Sequence, residues 1–236
     1  VGSSDVSKIY RGVTLVWPTT FVCSFTFTSK AQLQTAVGQW ISSRAYALST
    51  YGPINNWCTG AITDMSSLFS YKTTFNDDIS NWDVSNVTNM ANMFDNALAF
   101  NQPLNSWDVS SVTNMNTTFG NARVFNQNLN SWDMSSVTDM FNMFYYAYAF
   151  NGNIGSWDVS SVTSTYGTFF NASAFNQNIS SWNVSSVTTT QGMFGNTSSF
   201  NQPIDAWNVS SLRNMAGMFY DATSFDQSLN SWDVSS

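Results

Sequence analysis

A tryptophan recurs every 25 residues along most of the chain, and no insertion or deletion interrupts this spacing. The eight residues are Trp57, Trp82, Trp107, Trp132, Trp157, Trp182, Trp207 and Trp232. A fixed period of this size is typical of chains that stack copies of one supersecondary unit, each burying an apolar face that it cannot bury alone. The repeat predicts one elongated domain of about seven to eight units over residues 54–236, preceded by an N-terminal cap at 21–53 and a lead-in or linker at 1–20.

Within each unit, the spacing of the apolar residues changes from that of a strand to that of a helix. The strand-like part has the spacing L-x-x-L-x-L, as in Ile204, Trp207 and Val209. The helix-like part has steps of three, four and three, as in Val87, Met90, Phe94 and Ala97. Ser85 or Thr88 would begin that helix. The predicted fold is an α/β solenoid, a leucine-rich-repeat-like stack of short parallel strands and short helices with an N-terminal helical cap.

The predicted cap consists of a strand and a helix. Residues 21–28 alternate enough to form the strand, and Ser29 is placed to cap the helix after it. The apolar face of that helix would be Leu33, Val37, Trp40 and Ile41. Cys23 lies in this cap and Cys58 in the first unit; an even cysteine count in an exported protein favours a disulfide, and the alternative is two buried thiols.

The repeats resemble a known family. The segments NWDVSNVTNMANMF (81–94) and SWDVSSVTNMNTTF (106–119), joined by AFNQPLN (99–105), look like the 25-residue repeats of the BspA-type leucine-rich-repeat surface proteins. Ala36, Val37 and Trp40, followed by YGPI (51–54), resemble the lead-in to those repeats. The resemblance covers about residues 25–236 and implies a secreted or cell-surface protein of binding, adhesion or extracellular assembly, with no catalytic residues. Thr165, Thr190 and Arg213 depart from the family pattern, which predicts an irregular helical edge in their units.

Composition argues against several classes of function. The chain has no histidine, and all 14 acidic residues are aspartates, so imidazole chemistry is absent. The net charge is −7, and residues 57–236 hold 13 of the aspartates against three cations. This negative charge argues against binding to nucleic acid. No apolar run reaches the roughly 18 residues of a membrane span, so membrane insertion is not expected.

Three columns of equivalent residues have both a structural and a functional interpretation. The tryptophans either form the core or offer a platform for sugar rings. Aspartates in successive units either accept hydrogen bonds from turn N–H groups or hold Ca²⁺ between units: Asp83, Asp108, Asp133 and Asp158. Threonines either cap helices or form a hydroxyl array that faces ice or a mineral: Thr63, Thr88, Thr113, Thr138, Thr163 and Thr188. The structural interpretation is preferred for each column.

The leading functional prediction is a non-enzymatic module that acts at a cell surface or outside the cell. Its expected partners are a protein or a glycan, or a second copy bound through the uncapped C-terminal end. The alternative is a glycan-binding or glycan-processing protein that uses the Trp and Asp columns, where paired carboxylates would do acid and base work. Asn-x-Ser/Thr sequences mark candidate glycosylation sites at Asn86, Asn116, Asn171, Asn178, Asn183, Asn196 and Asn208.

Overall fold

The computed structural model describes residues 22–234, so the predicted lead-in at 1–20 lies outside the described residues. Strand β1 (Phe25–Thr26), helix α1 (Lys30–Ser42) and helix α2 (Arg44–Tyr51) form the N-terminal cap. A 3₁₀ turn (Ile54–Asn56) leads into strand β2 (Trp57–Cys58), which pairs with β1 in parallel. The strand of the cap is thus shorter than residues 21–28, and its second helix, α2, has no counterpart in the predicted cap.

Helix α1 begins after Ser29, whose side chain accepts a hydrogen bond from the Gln32 N–H. Leu33, Val37 and Trp40 are buried, whereas Ile41 is 36% exposed, so the fourth residue of the predicted face lies at its edge. The cap is tied to the first repeat units by two ion pairs, Lys30 with Asp64 at 3.0 Å and Arg44 with Asp77 at 2.5 Å. Both pairs are partly exposed, so we expect them to orient the cap more than to stabilise it.

Successive repeat units lie beside each other and exchange backbone hydrogen bonds. Alternate N–H groups of one unit donate to the next: Met90 to Asn114, Asn92 to Asn116, Phe94 to Thr118 and Asn96 to Gly120. Parallel bridges link equivalent residues of consecutive units: Asp64–Asn89, Asn89–Asn114, Asn114–Asp139, Asp139–Ser164, Ser164–Thr189 and Thr189–Asn214. The parallel pairing therefore falls on the Asn89 column, and the Trp-Asp-Val segment of each later unit is irregular instead of the predicted strand.

The predicted helix in each unit is also wrong. In the described part of the chain no α-helix follows Tyr51, and residues 91–96 form consecutive turns. Met93 N–H donates to Met90 C=O and Ala97 N–H to Phe94 C=O, both at 3.0 Å. The third residue of each of these turns has positive φ, 57° at both Asn92 and Asn96, which a helix does not permit. An apolar spacing of three and four suits such paired turns as well as a helix.

Tryptophan forms the centre of the core. Trp57 through Trp207 of the tryptophan column are at most 4% exposed, and Trp232 is partly buried. Their rings stack along the repeat, with centroids 6.4 Å apart between Trp132 and Trp157. Each indole N–H from Trp82 onward donates to a carbonyl of the preceding unit, as Trp132 does to Leu104 at 2.9 Å. Each indole ring is thus buried, and its nitrogen, the single polar atom of the side chain, still makes a hydrogen bond.

Two phenylalanine columns complete the core. Phe94 and Phe100 stack within one unit at 4.2 Å, and Phe94 stacks on Phe119 of the next unit at 5.4 Å. Asparagines that follow the second column join units through their side chains, since Asn101 Oδ1 accepts from the Asn126 N–H at 2.9 Å. This ladder continues along the chain and ends at Asp226, whose N–H donates to Asn201. A hydrogen bond from each of these asparagine side chains to the backbone of the next unit therefore fixes the position of that unit.

Candidate binding face

The aspartate column lies on the surface and its carboxylates are used by their own turns. Asp83, Asp108, Asp133 and Asp158 each accept from the N–H of the serine two residues later, at 3.0–3.1 Å. Hydrogen bonds from the serine hydroxyl, and next from the serine N–H, hold the pKa of Asp108, Asp133 and Asp158 below its ordinary value; a weaker repulsion from Asp133 opposes this at Asp108 and Asp158. Among residues 22–234 no three Asp, Glu, His or Cys side chains converge on one point. This geometry favours turn stabilisation over calcium binding.

The threonine column does not cap helices. Thr88 donates to the Thr63 carbonyl through both its N–H, at 2.8 Å, and its hydroxyl, at 3.2 Å. The same double contact recurs from Thr113 to Thr88 and from Thr188 to Thr163. From Thr88 onward, each threonine of the column therefore joins two units, and its hydroxyl proton is donated to the protein itself. This arrangement differs from the predicted helix caps because the units contain turns at this point.

The two cysteines meet where β1 lies beside β2. Cys23 and Cys58 form a disulfide with their Cα atoms 5.5 Å apart, which closes a separation of 35 residues. On the chain-entropy model such a loop contributes about 3–4 kcal/mol to the free energy of unfolding. The bridge fastens the cap to the first unit.

The asparagines of the seven glycosylation sequences differ in exposure. Asn86, Asn178, Asn183 and Asn208 are exposed, whereas Asn116, Asn171 and Asn196 are partly buried. Asn171 and Asn196 also hold positive φ, and the buried Oδ1 of Asn116 accepts no hydrogen bond in the described structure. The Asn86 amide donates to the Gly60 carbonyl at 2.8 Å. Of the seven asparagines, these four exposed ones are therefore the most accessible to a glycosylating enzyme.

A cluster of aromatic residues stands on the outer side of the turns. We call it the aromatic face, and it comprises Phe141, Tyr145, Tyr146, Tyr148, Tyr166 and Phe170. Phe141 stacks on Tyr166 at 5.0 Å, and Tyr145 stacks on Phe170 at 5.4 Å. Burial and hydrogen bonding with Tyr146 raise the pKa of Tyr145, so its phenol stays protonated. Phe141 and Tyr148 are exposed and the other four rings are partly buried. None of the six belongs to the buried core.

Two grooves flank the aromatic face and share Asn142 and Tyr145. The first groove, of about 490 Å³, runs from Tyr71 to Tyr146 across a polar floor. The second groove, of about 280 Å³, lies between Phe170 and Tyr220 over a floor of Gly167, Gly192 and Gly217. Tyr71 and Tyr220 are 70% and 67% exposed, so each groove ends at a tyrosine that projects from the surface.

The floor of the first groove is a chain of hydrogen-bonded polar side chains. Asn96 Nδ2 donates to Asp95 at 2.9 Å, and Asn121 Nδ2 donates to Asn96 Oδ1 at 2.6 Å. Arg123 Nε donates to Asn121 Oδ1 at 2.9 Å, and the guanidinium lies 5.8 Å from the centre of the Tyr148 ring. Burial raises the pKa of Asp95, which is consistent with a partly enclosed position. Donors and acceptors are thus held in fixed positions beside aromatic rings.

The aromatic face is absent from the functional sites predicted from the sequence. Its signal is the segment Phe141–Phe150, FNMFYYAYAF, where several outward positions are aromatic together, although the equivalent positions of most other units are small or polar. In the Tyr146 column, for example, Asn96, Asn121, Asn171 and Asn196 take the same place. Comparing the outward columns of the units reveals this signal. The Trp column, for which a sugar platform was the alternative to the preferred core interpretation, is buried from Trp57 to Trp207.

A second apolar surface lies on the last described units. A cavity of about 460 Å³ is lined by Met215, Met218, Phe219, Leu229 and Trp232. Met215, Phe219, Leu229 and Trp232 occupy core columns but are only partly buried.

Between residues 22 and 234, neither α-helix has the length and hydrophobicity required to cross a membrane.

Comparison with known proteins gives one match. A family described as a Mycoplasma protein of unknown function, DUF285, matches residues 39–157 and again residues 145–236. No curated protein and no solved structure matches the chain. The two family matches together extend from α1 through the whole repeat region, and the chain therefore belongs to the DUF285 family.

Proposed function

We propose that this DUF285 chain is a BspA-type repeat protein of the leucine-rich-repeat kind, built as a solenoid, which binds macromolecules at a cell surface or outside the cell and performs no catalysis. The observation that carries the proposal is the aromatic face, a cluster of partly exposed rings on a repeat whose core is already complete. Large exposed apolar surfaces on otherwise polar proteins mark interaction sites. The engaged hydroxyls and carboxylates of the other columns leave this face as the surface best equipped for contact.

The remaining surface supports a binding role better than an enzymatic one. In the aspartate column, Asp108, Asp133 and Asp158 have pKa values lowered by the same cause, so none of these three is set apart as an acid from a base. The chain has no histidine or glutamate to serve instead. Binding without turnover is the expected behaviour.

The proposed binding function is tested with the purified chain on immobilised cell-surface glycans and extracellular-matrix proteins. We expect retention on at least one surface, weakened by Tyr146→Asn, and no shortening of any glycan in a product analysis by chromatography. Asparagine is the matched replacement because four other units carry it in this column with the same positive φ. Turnover of a glycan, or retention on none of the surfaces, would refute the proposal.

A further inference from the structure

We infer that the aromatic face and its two grooves bind a neutral oligosaccharide that lies along the repeat, from Tyr71 at one end to Tyr220 at the other. This inference rests on the proposed binding function and names the partner of the same site. Tyr71 and Tyr220 are separated by six units, or about 29 Å at the usual spacing of neighbouring parallel segments. An extended chain of several sugar rings fits a surface of this length.

The first reason is the pairing of rings with a polar floor. A pyranose ring has an apolar C–H face, which packs on the negative face of an aromatic ring, and hydroxyl groups around its edge. Every hydroxyl both donates and accepts a hydrogen bond. The first groove matches both features, since Tyr71 and Tyr146 bracket the amides of Asn96 and Asn121. Each of these amides uses one N–H within the protein and has a second N–H to donate, which an entirely apolar partner would cover without a hydrogen bond and so bind weakly.

The second groove lies beside an aromatic column that one glycine interrupts. Tyr145, Phe170, Gly195 and Tyr220 occupy equivalent positions in four consecutive units. The Phe170 ring leans over Gly195, because a Cβ added there would meet Phe170 Cδ2 at 2.6 Å, so the groove is the space that remains between this ring and Tyr220. The glycine floor lets a ligand approach the backbone closely. Its volume of about 280 Å³ suits a single ring unit better than a folded peptide segment.

Charge selects a neutral ligand. Among the described residues, the one cation that lines the first groove is Arg123, which is already held by Asn121 and lies over Tyr148. Asp95 lies on the same floor. The repeats carry 13 aspartates against three cations, so sulfated glycans and nucleic acids are repelled. Contacts between neutral groups do not depend on ionic strength, so the affinity is expected to be insensitive to salt.

The experiment measures binding of five neutral hexasaccharides, made of β-1,4-glucose, β-1,4-N-acetylglucosamine, β-1,4-mannose, β-1,3-glucose and α-1,4-glucose, by calorimetry. At least one is expected to bind, and Tyr71→Asn and Tyr146→Asn are each expected to weaken it tenfold or more. Asparagine keeps the positive φ at both positions, so the fold is retained. The matched control is Tyr46→Asn, because Tyr46 is a 53% exposed ring on α2, away from both grooves.

The outcomes separate this inference from the proposed function. If no hexasaccharide binds, or if Tyr46→Asn weakens binding as much as Tyr146→Asn, the glycan site is refuted. If a matrix protein is bound instead and Tyr146→Asn abolishes it, the face is a protein-docking surface; the inference fails and the proposed function stands. If a hexasaccharide is bound but shortened, the proposed function fails and the glycan site stands.

Discussion

Single residues join the units, and tryptophan does so with both its ring and its N–H. Trp132 is 3% exposed, and its indole donates to the Leu104 carbonyl of the preceding unit. Phenylalanine in its place would leave a cavity and remove one of the two hydrogen bonds that the Leu104 carbonyl accepts, the other being from the Trp107 N–H at 3.1 Å. We expect Trp132→Phe to lower the free energy of unfolding by about 2–4 kcal/mol in urea denaturation.

The control for this prediction is Tyr46→Phe, which removes a hydroxyl from an exposed ring on α2. It should change the free energy of unfolding by less than about 0.5 kcal/mol, as surface substitutions usually do. Equal effects of the two substitutions would show that the indole hydrogen bond contributes nothing between units.

The aspartate column makes stability depend on pH in a defined direction. In Asp108, Asp133 and Asp158, hydrogen bonds from serine lower the pKa from 3.8, so the folded chain binds protons less readily than the unfolded chain. Their contribution is therefore present above the ordinary pKa and is lost as the pH falls through the lower folded values. Thermal melts from pH 6 to 2 should show this loss.

Replacing these aspartates with asparagine removes the charge and keeps the hydrogen bond that stabilises the turn, so the two effects can be measured separately. Asn183 and Asn208 already accept the equivalent serine N–H, at 3.2 and 3.1 Å. The triple variant Asp108→Asn, Asp133→Asn, Asp158→Asn should fold and show a smaller decrease in melting temperature below about pH 4. An unchanged acid dependence would mean that other carboxylates dominate.

At the scale of the elements, the conformation of the turns decides which substitutions are tolerated. Gly192 has φ of 63°, and a Cβ there would meet only Phe170 Cδ2, at 3.5 Å. Space is therefore available, and the cost of a side chain is conformational. Gly192→Ala should lower the free energy of unfolding by about 1–2 kcal/mol, and Gly192→Asn by less, since Asn92 and Asn142 hold the same conformation.

The matched substitution in a helix should have the opposite sign. Gly38 lies within α1, and no neighbouring atom lies within 4 Å of the position that an added Cβ would take, so alanine fits without strain. Gly38→Ala should raise the free energy of unfolding by about 0.5–1 kcal/mol in the same denaturation assay. Loss of stability at both glycines would contradict the turn conformation assigned to residue 192.

The difference between positive-φ turns and helices explains which features of the elements the sequence could predict. The inward residues follow from periodicity, because a column such as Phe94 is apolar in every unit and must be buried. The helix could not be distinguished from paired turns by that periodicity, because both place Met90, Phe94 and Ala97 on one side. The distinguishing signal is the presence of Asn or Gly at two columns, which favours positive φ. The grooves escaped prediction because their position depends on those turns.

At the scale of the whole molecule, the repeat predicts that one unit can be removed without disturbing the others. Deletion of residues 176–200 joins Phe175 to Asn201, which occupies the same column as Asn176, so every inward residue keeps its place. Stability should fall only by the contribution of one unit and one interface, because units contact mainly their neighbours. Circular dichroism and urea unfolding would measure this directly.

Deletion of residues 176–199 is the control, since it removes one residue fewer and shifts every later column by one position. Apolar residues then point outward, and we expect this variant to aggregate or unfold. The in-register deletion also places Tyr220 where Gly195 stood, beside Phe170, and so closes the second groove while leaving the first intact. A folded deletion variant that binds the hexasaccharide more weakly, with Tyr71→Asn weakening it further, is expected because both grooves hold one chain. Identical behaviour of the two deletions would show that the 25-residue register does not determine the fold.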